Sequence, residues 1–206
     1  ASIGTIFSIH RRVTRDGEQG SLKDLLQKGR DIVAAGYVVY GSSNMLVYST
    51  GDQVDGFTYD PGVGEFFLSH PKIRIPERGG IYSINEGNYH NWSEGTQRWV
   101  DWIKAPGENK KPYRLRYIGA MVADLHRTLL RGGIFVYPPD VKNKKGKLRL
   151  LYEASPMAFL VEAAGGAASD GTQPILDIEP KELHQRTPVF IGSVADVEDA
   201  LRFANS

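Results

Sequence analysis

The chain has 206 residues, 41% of them apolar and 24% charged, and a net charge of +1. This describes a globular protein with enough length to bury a real core, as one large domain or two small ones, and it carries no general electrostatic footprint for nucleic acid or a membrane surface. The absence of cysteine excludes disulfides, thiolate nucleophiles and zinc–thiolate sites within the chain, and no apolar run approaches the ~20 residues of a membrane span, so a cytosolic setting is expected.

The chain opens at ASIGTIF, strand-like and without an initiator Met, which raises the expectation of a segment upstream. SIGTIFSIHRRV (2–13) reads as a strand, TRDGEQGS as a polar connection, and RDIVAAGYVVY (30–40) as a helix ending at Gly41. NMLVYST (44–50), VDGFTYD (54–60) and EFFLSH (65–70) read as strands joined by the turns GDQ and PGVG, an antiparallel meander with one face covered by helices. IYSIN (81–85) is a short strand before the loop NEGNYHNW, and Trp92 to Ile103 a helix. From Tyr117 to Arg131, Ile118, Met121, Val122, Leu125 and Leu129 recur at helical spacing until Gly132-Gly133. Strands at 134–137, 147–153, 175–178 and 189–193 then alternate with helices at 156–164 and 194–204, the last capped by Ser193. The fold class is therefore α/β, with mixed sheets flanked by helices.

KLRLLYEASPMAFLVEAAGG (147–166) carries the most chemistry. As a strand, its period of two puts Lys147, Arg149, Leu151 and Glu153 on one face, with Ser155 as N-cap and Pro156 in the first helical position. Glu153 then stands at a strand end beside a helix N-terminus, where a cation such as Mg²⁺ could bridge it to a phosphate, or where it could merely complement the helix dipole. Six residues at ~3.3 Å put Lys147 about 20 Å away, within reach of the far end of an extended anionic ligand. Arg116 and Tyr117 start the 117–131 helix, a second anion-favouring terminus, while Asn85 and Tyr137 end strands and could donate to phosphate or satisfy loop backbone. Lys142, Lys144 and Lys145 read as a solvated turn, and His126 has no second His at ligand spacing. There is no Walker loop, G-x-G-x-x-G, G-x-S-x-G or H-E-x-x-H, which disfavours kinases, dehydrogenases and serine hydrolases.

GYVVYGSSNMLV, IYSINEGN, RYIGAMVADLHRTL, GGIFVYP and above all GKLRLLYEASPMAFLVEAAGG closely resemble, essentially end to end, class I fructose-1,6-bisphosphatase of the metal-dependent sugar-phosphatase (inositol monophosphatase-like) superfamily. Tyr152, Glu153, Ala154, Ala158, Gly165 and Gly166 match that superfamily's second signature. The resemblance implies hydrolysis of the 1-phosphate of fructose 1,6-bisphosphate in gluconeogenesis. It makes Glu153 a ligand of Mg²⁺, with Mn²⁺ as the alternative ion. Asn85, Tyr117 and Tyr137 become contacts to the sugar 6-phosphate, Arg116 a residue reaching that phosphate in a neighbouring subunit, Lys147 and Met121 sugar contacts, and Arg149 a neighbour of the reacting phosphate. No catalytic residue is assigned.

The same resemblance implies a cytoplasmic homotetramer with no nucleic-acid or membrane partner. Residues 1–75 would be the remainder of an allosteric-type domain and 76–206 the sugar-phosphate domain. The family's Asp-Pro-x-Asp-Gly-Ser-Ser segment and its other metal ligands have no counterpart here; GSSN at 41–44 follows Tyr40 rather than an aspartate. An inactive C-terminal portion is therefore expected. The upstream allosteric helices have no counterpart either, although Arg11 or Arg12 matches a residue at the edge of that site. The connection after the first strand is short and cysteine-free, which disfavours a thioredoxin-switched form. A sedoheptulose-1,7-bisphosphatase, or a non-catalytic sugar-phosphate-binding or assembly module, remains the alternative.

Overall fold

A computed structural model describes residues 3–15, 19–107, 111–204 and 206. The first half is a meander of five strands, β1 (Ile3–His10), β2 (Ile32–Tyr40), β3 (Met45–Ser49), β4 (Val54–Asp60) and β5 (Glu65–His70), each antiparallel to the next in chain order. A four-residue helix, α1 (Leu22–Leu25), and a 3-10 turn at 29–31 lie between β1 and β2.

The helix expected over 30–40 is β2, the central partner of both β1 and β3. Its unbroken apolar run fits a buried helix or a buried strand equally well, and two observations explain the outcome. Val, Ile and Tyr suit a pleated surface, and Gly36 lies under the Phe7 ring, where the neighbouring strand approaches too closely for a side chain.

The second sheet is mixed, ordered β10 (Ala167–Ser169), β12 (Val189–Gly192), β8 (Ile134–Tyr137), β6 (Ile81–Ser83), β7 (Arg114–Leu115). A two-residue ladder joins β9 (Leu148–Arg149) to β11 (Arg186–Thr187). Helices α3 (Met121–Arg131) and α4 (Ser155–Ala163) touch both large sheets, whereas α2 (Glu94–Lys104) and α5 (Val194–Ala204) pair on the far side of the second. Four layers result, and two apolar clusters fill them: one between the sheets, including Tyr37, Val47, Leu125, Met157 and Leu160, the other under α2 and α5, including Tyr82, Trp99, Ile134 and Val197. The other face of the meander keeps Ile3, Ile9, Tyr40, Tyr48, Phe66 and Leu68 exposed.

Several expected boundaries move. The helix expected at 117–131 begins at Met121, because Gly119 takes a φ of +82° that breaks helical continuity, so Arg116 and Tyr117 lie on a connection ahead of α3. The 147–153 strand shrinks to Leu148–Arg149, and residues 150–154 coil into a π-helical turn that runs directly into α4. Ser155 is accordingly a buried first helical residue and not an N-cap. Residues 175–177 form a 3-10 turn where a strand was expected; Pro174 presets the turn, and Ile175 and Leu176 plug the core. Ser193 caps α5 through its carbonyl, which accepts from Val197 N, while its hydroxyl accepts from Gly133 N. Among the described residues no helix is long and apolar enough to cross a membrane.

Candidate functional site

Strand direction assembles the site. β7, β6 and β8 run parallel, with Tyr82 opposite Leu115 and Ser83 opposite Phe135, so all three end at the same edge of the sheet. Two residues past those pairs lie Tyr117, Asn85 and Tyr137. The carboxyl ends of parallel strands form a crevice where ligands bind in α/β sheets, because the chain departs there into loops.

Tyr117 and Tyr137 are close neighbours across the strand ends. Burial, with Tyr137 and Asp124 nearby, pushes the Tyr117 hydroxyl up to about 12, so it remains a protonated donor across the physiological range. Lys147 places its ammonium 5.9 Å from the centre of the Tyr137 ring, a cation–π distance. Asn85 is exposed, caps the 3-10 turn 86–91 by accepting from Gly87 N at 3.2 Å, and shares a small hollow with Asn88, Tyr137 and Asp140. Met121, Tyr117, Tyr137 and Leu148 each pack, partly buried, against the inter-sheet core. Two phenols, an ammonium and an amide thus converge, a donor-rich group suited to an anionic oxygen ligand.

The remaining expected residues make local contacts of their own. Arg116 is exposed at the edge strand and turns back to donate to Leu115 O at 2.8 Å. Arg149 donates to His184 O at 3.2 Å. Glu153 sits within the π-helical turn, and its Oε2 accepts from Arg149 N at 2.6 Å. The strand face that was expected to align Lys147, Arg149 and Glu153 therefore does not exist. Lys142, Lys144 and Lys145 are exposed on the turn between β8 and β9. His126 is packed, its Nδ1 2.9 Å from the Tyr37 hydroxyl. A separate open hollow of about 730 Å³ is lined by Lys145, Lys181 and Arg186 facing Asp177, Glu179 and Glu182, and none of the expected residues borders it.

Among the described residues no three His, Asp or Glu side chains cluster closely enough to hold a metal ion. Glu153 supplies a hard carboxylate oxygen, but one ligand is not a metal site, and the residues present do not by themselves fit a complete centre. Sequence reasoning also missed Asp124 and Arg127, which brace Tyr117 from α3. Their i, i+3 spacing in VADLHR was the available signal, and it is shared with countless surface pairs.

Two family models cover the chain: fructose-1-6-bisphosphatase, N-terminal domain, over residues 1–71, and fructose-1-6-bisphosphatase, C-terminal domain, over residues 75–205. Proteins named fructose-1,6-bisphosphatase class 1 from Chlorobaculum tepidum and Chlorobium luteolum are 59% and 58% identical over 203 residues, 98% of this chain and 61% of theirs. The protein of the same name from Persephonella marina is 57% identical and is covered to 60%. The crystal structure of Leishmania major fructose-1,6-bisphosphatase in holo form superposes with a TM-score of 0.92 at 47% identity, covering 100% of this chain and 64% of that one. The mixed-sheet α/β fold is that of a solved fructose-1,6-bisphosphatase. The chain belongs to the fructose-1,6-bisphosphatase family. It spans about 60% of the length of the curated relatives it matches.

Proposed function

We propose that these residues form the sugar-phosphate half of an enzyme that hydrolyses the 1-phosphate of fructose 1,6-bisphosphate, yielding fructose 6-phosphate and phosphate. The observation that carries the reading is the meeting of Tyr117, Tyr137 and Lys147 at the ends of parallel strands, next to Asn85. The phenols and the amide donate to the 6-phosphate, and Lys147 balances its charge and touches the sugar, with Met121 beneath. Arg116, exposed just past the edge strand, reaches the same phosphate of a second subunit in a homotetramer. Glu153 is one ligand of a divalent ion, Mg²⁺ or Mn²⁺, which when bound supplies positive charge at the reacting phosphate. Arg149 stands beside that end. Residues 1–75 belong to the allosteric-type domain and 76–206 to the sugar-phosphate domain, in a cytoplasmic enzyme of gluconeogenesis.

A single carboxylate does not assemble the charge that phosphoryl transfer needs, so the 206-residue chain alone is inactive. Phosphate release from fructose 1,6-bisphosphate, measured with Mg²⁺ on the chain and on the full-length protein, tests this. Turnover by the chain alone contradicts its inactivity, and no turnover by either contradicts the enzyme. Sedoheptulose 1,7-bisphosphate as a competing substrate measures how far a site that grips the distal phosphate tolerates a longer sugar.

A further inference from the structure

Tyr117 lies on a connection without regular structure, between β7 and α3, yet its backbone is held on both sides. Ahead of it, Arg116 N donates to Tyr82 O at 3.0 Å. Behind it, Asp124 accepts from Ile118 N at 3.1 Å and from Gly119 N at 3.2 Å. Asp124 is completely buried, at 0% exposure, in the first turn of α3. A carboxylate in that position needs a cation, and Arg127 provides it with Nη2 at 2.7 Å from Asp124 Oδ1.

The same nitrogen does two further things. It donates to Arg116 O at 2.9 Å and to Ser83 Oγ at 2.6 Å. Nη2 carries two hydrogens and meets three acceptors, so one hydrogen is shared between two of them. Arg127 Nε meanwhile is buried with no partner, so the guanidinium is oriented wholly by the acceptors at its other end. Ser83 closes β6, two residues before Asn85, and Arg116 O belongs to the peptide that leads into Tyr117. A single guanidinium nitrogen therefore ties the strand end carrying Asn85 to the connection carrying Tyr117.

An ordinary i, i+3 pair that only staples a helix would be solvent-exposed and confined to that helix. This one is dry on the Asp124 side, and its other bonds all leave α3. The geometry points to Asp124 and Arg127 as positioning residues that fix Tyr117 relative to Asn85, and so set affinity for the phosphate that those side chains hold. The inference rests on the sugar-phosphate reading above. Neither residue touches ligand; both act through the backbone that aims the Tyr117 hydroxyl, where a displacement of about an ångström is enough to lose a phosphate hydrogen bond.

The test uses the full-length protein, with fructose 6-phosphate as probe in calorimetry and fructose 1,6-bisphosphate in kinetics. Ser83→Ala removes the tie to β6 and leaves two acceptors for two hydrogens, so melting is expected to hold while fructose 6-phosphate affinity falls about 3–10-fold, as the Tyr117 hydroxyl loses its fixed aim. The KM for the bisphosphate rises by the same factor and kcat stays within about twofold, because the reacting end is untouched. Arg127→Lys retains the charge opposite Asp124 and is expected to preserve the fold but not the full affinity. In a Tyr117→Phe background, Ser83→Ala should have no further effect. Wild-type binding with unchanged affinity in both variants overturns the positioning role alone, as does an undiminished Ser83→Ala effect in the Tyr117→Phe background. Wild-type protein that does not bind fructose 6-phosphate removes the sugar-phosphate reading and the positioning role with it.

Discussion

At the scale of the residue, hydrogen-bond geometry separates groups that sequence treats alike. Asp24, on α1, accepts from the backbone of Ser21, from the side chain and backbone of Thr14, and from Val13 N, and these bonds hold its carboxyl well below the usual carboxylate range. A depressed folded value means that the bonds stabilise the fold above the ordinary value of about 3.9 and are lost as pH falls through the folded value. Asp24→Asn is therefore expected to lower the melting temperature most near neutrality. Melts from pH 7 down to strong acid should show the gap closing, and a pH-independent gap contradicts the linkage. Glu153 offers the complementary case. Its carboxylate serves Arg149 N within its own turn, so Glu153→Gln, whose amide oxygen can still accept that bond, should cost about 1 kcal/mol or less. In the full-length enzyme the same change is expected to cut kcat by orders of magnitude and raise the Mg²⁺ requirement while sparing fructose 6-phosphate affinity. An unshifted Mg²⁺ titration with normal kcat removes Glu153 from the metal site.

At the scale of the element, the strands with alternating or bounded patterns were legible and the unbroken apolar run was not. β3, β4 and β5 are separated by Gly-containing turns whose punctuation survives in the fold, whereas β2 carries no alternation because its outward-facing positions, Gly36, Val38 and Tyr40, are as apolar as its core-facing ones. Gly36 is the diagnostic position. A Cβ there would press on the Phe7 ring and stand 2.8 Å from Val47 O on β3, so a ring and a backbone carbonyl must both give way. Gly36→Ala is expected to destabilise by about 1–3 kcal/mol, despite the better strand propensity of alanine. A thermal or urea melt measures it; a neutral or stabilising result shows that the sheet relaxes freely at this crossing. The shift from strand to π-helical turn at 150–154 has a tertiary cause as well. Leu150 N is taken by Gln185 O, and Leu150, Leu151 and Ala154 are all buried, a demand that a two-faced strand would not meet.

At the scale of the whole molecule, the core between the sheets draws on both matched regions: Ile32, Tyr37, Val47 and Val54 from the first, Leu125, Leu129, Met157 and Leu160 from the second. The two halves are thus expected to melt together. All three tryptophans, Trp92, Trp99 and Trp102, lie in or beside α2, so their fluorescence reports the outer layer while far-ultraviolet circular dichroism reports every layer. Met157→Ala empties a fully buried site between the sheets and should cost about 2–5 kcal/mol. Both signals should move by the same amount; a shift in dichroism alone shows that the layers unfold separately. The outer face of the first sheet stacks Tyr48 on Phe57 and leaves Ile9, Phe66 and Leu68 exposed.

The sequence by itself determined the α/β class, most strands and helices, and the strand-end placement of Asn85 and Tyr137, because periodicity and turn residues are local properties that survive whatever the chain packs against. Its resemblance to a family named candidate residues for a site without giving their arrangement. Only the tertiary structure decided that 30–40 is a strand, that Glu153 lies in a π-helical turn and not on a strand, and that Asp124 and Arg127 brace Tyr117. Each of these depends on a partner far along the chain: Phe7 and Val47 for Gly36, Gln185 for Leu150, Ser83 for Arg127. A buried strand and a buried helix show the same apolar run, and a structural ion pair and a solvated one show the same spacing. What distinguishes them is the exclusion of water by distant residues, and that becomes definite only when the sheets close on α3 and α4.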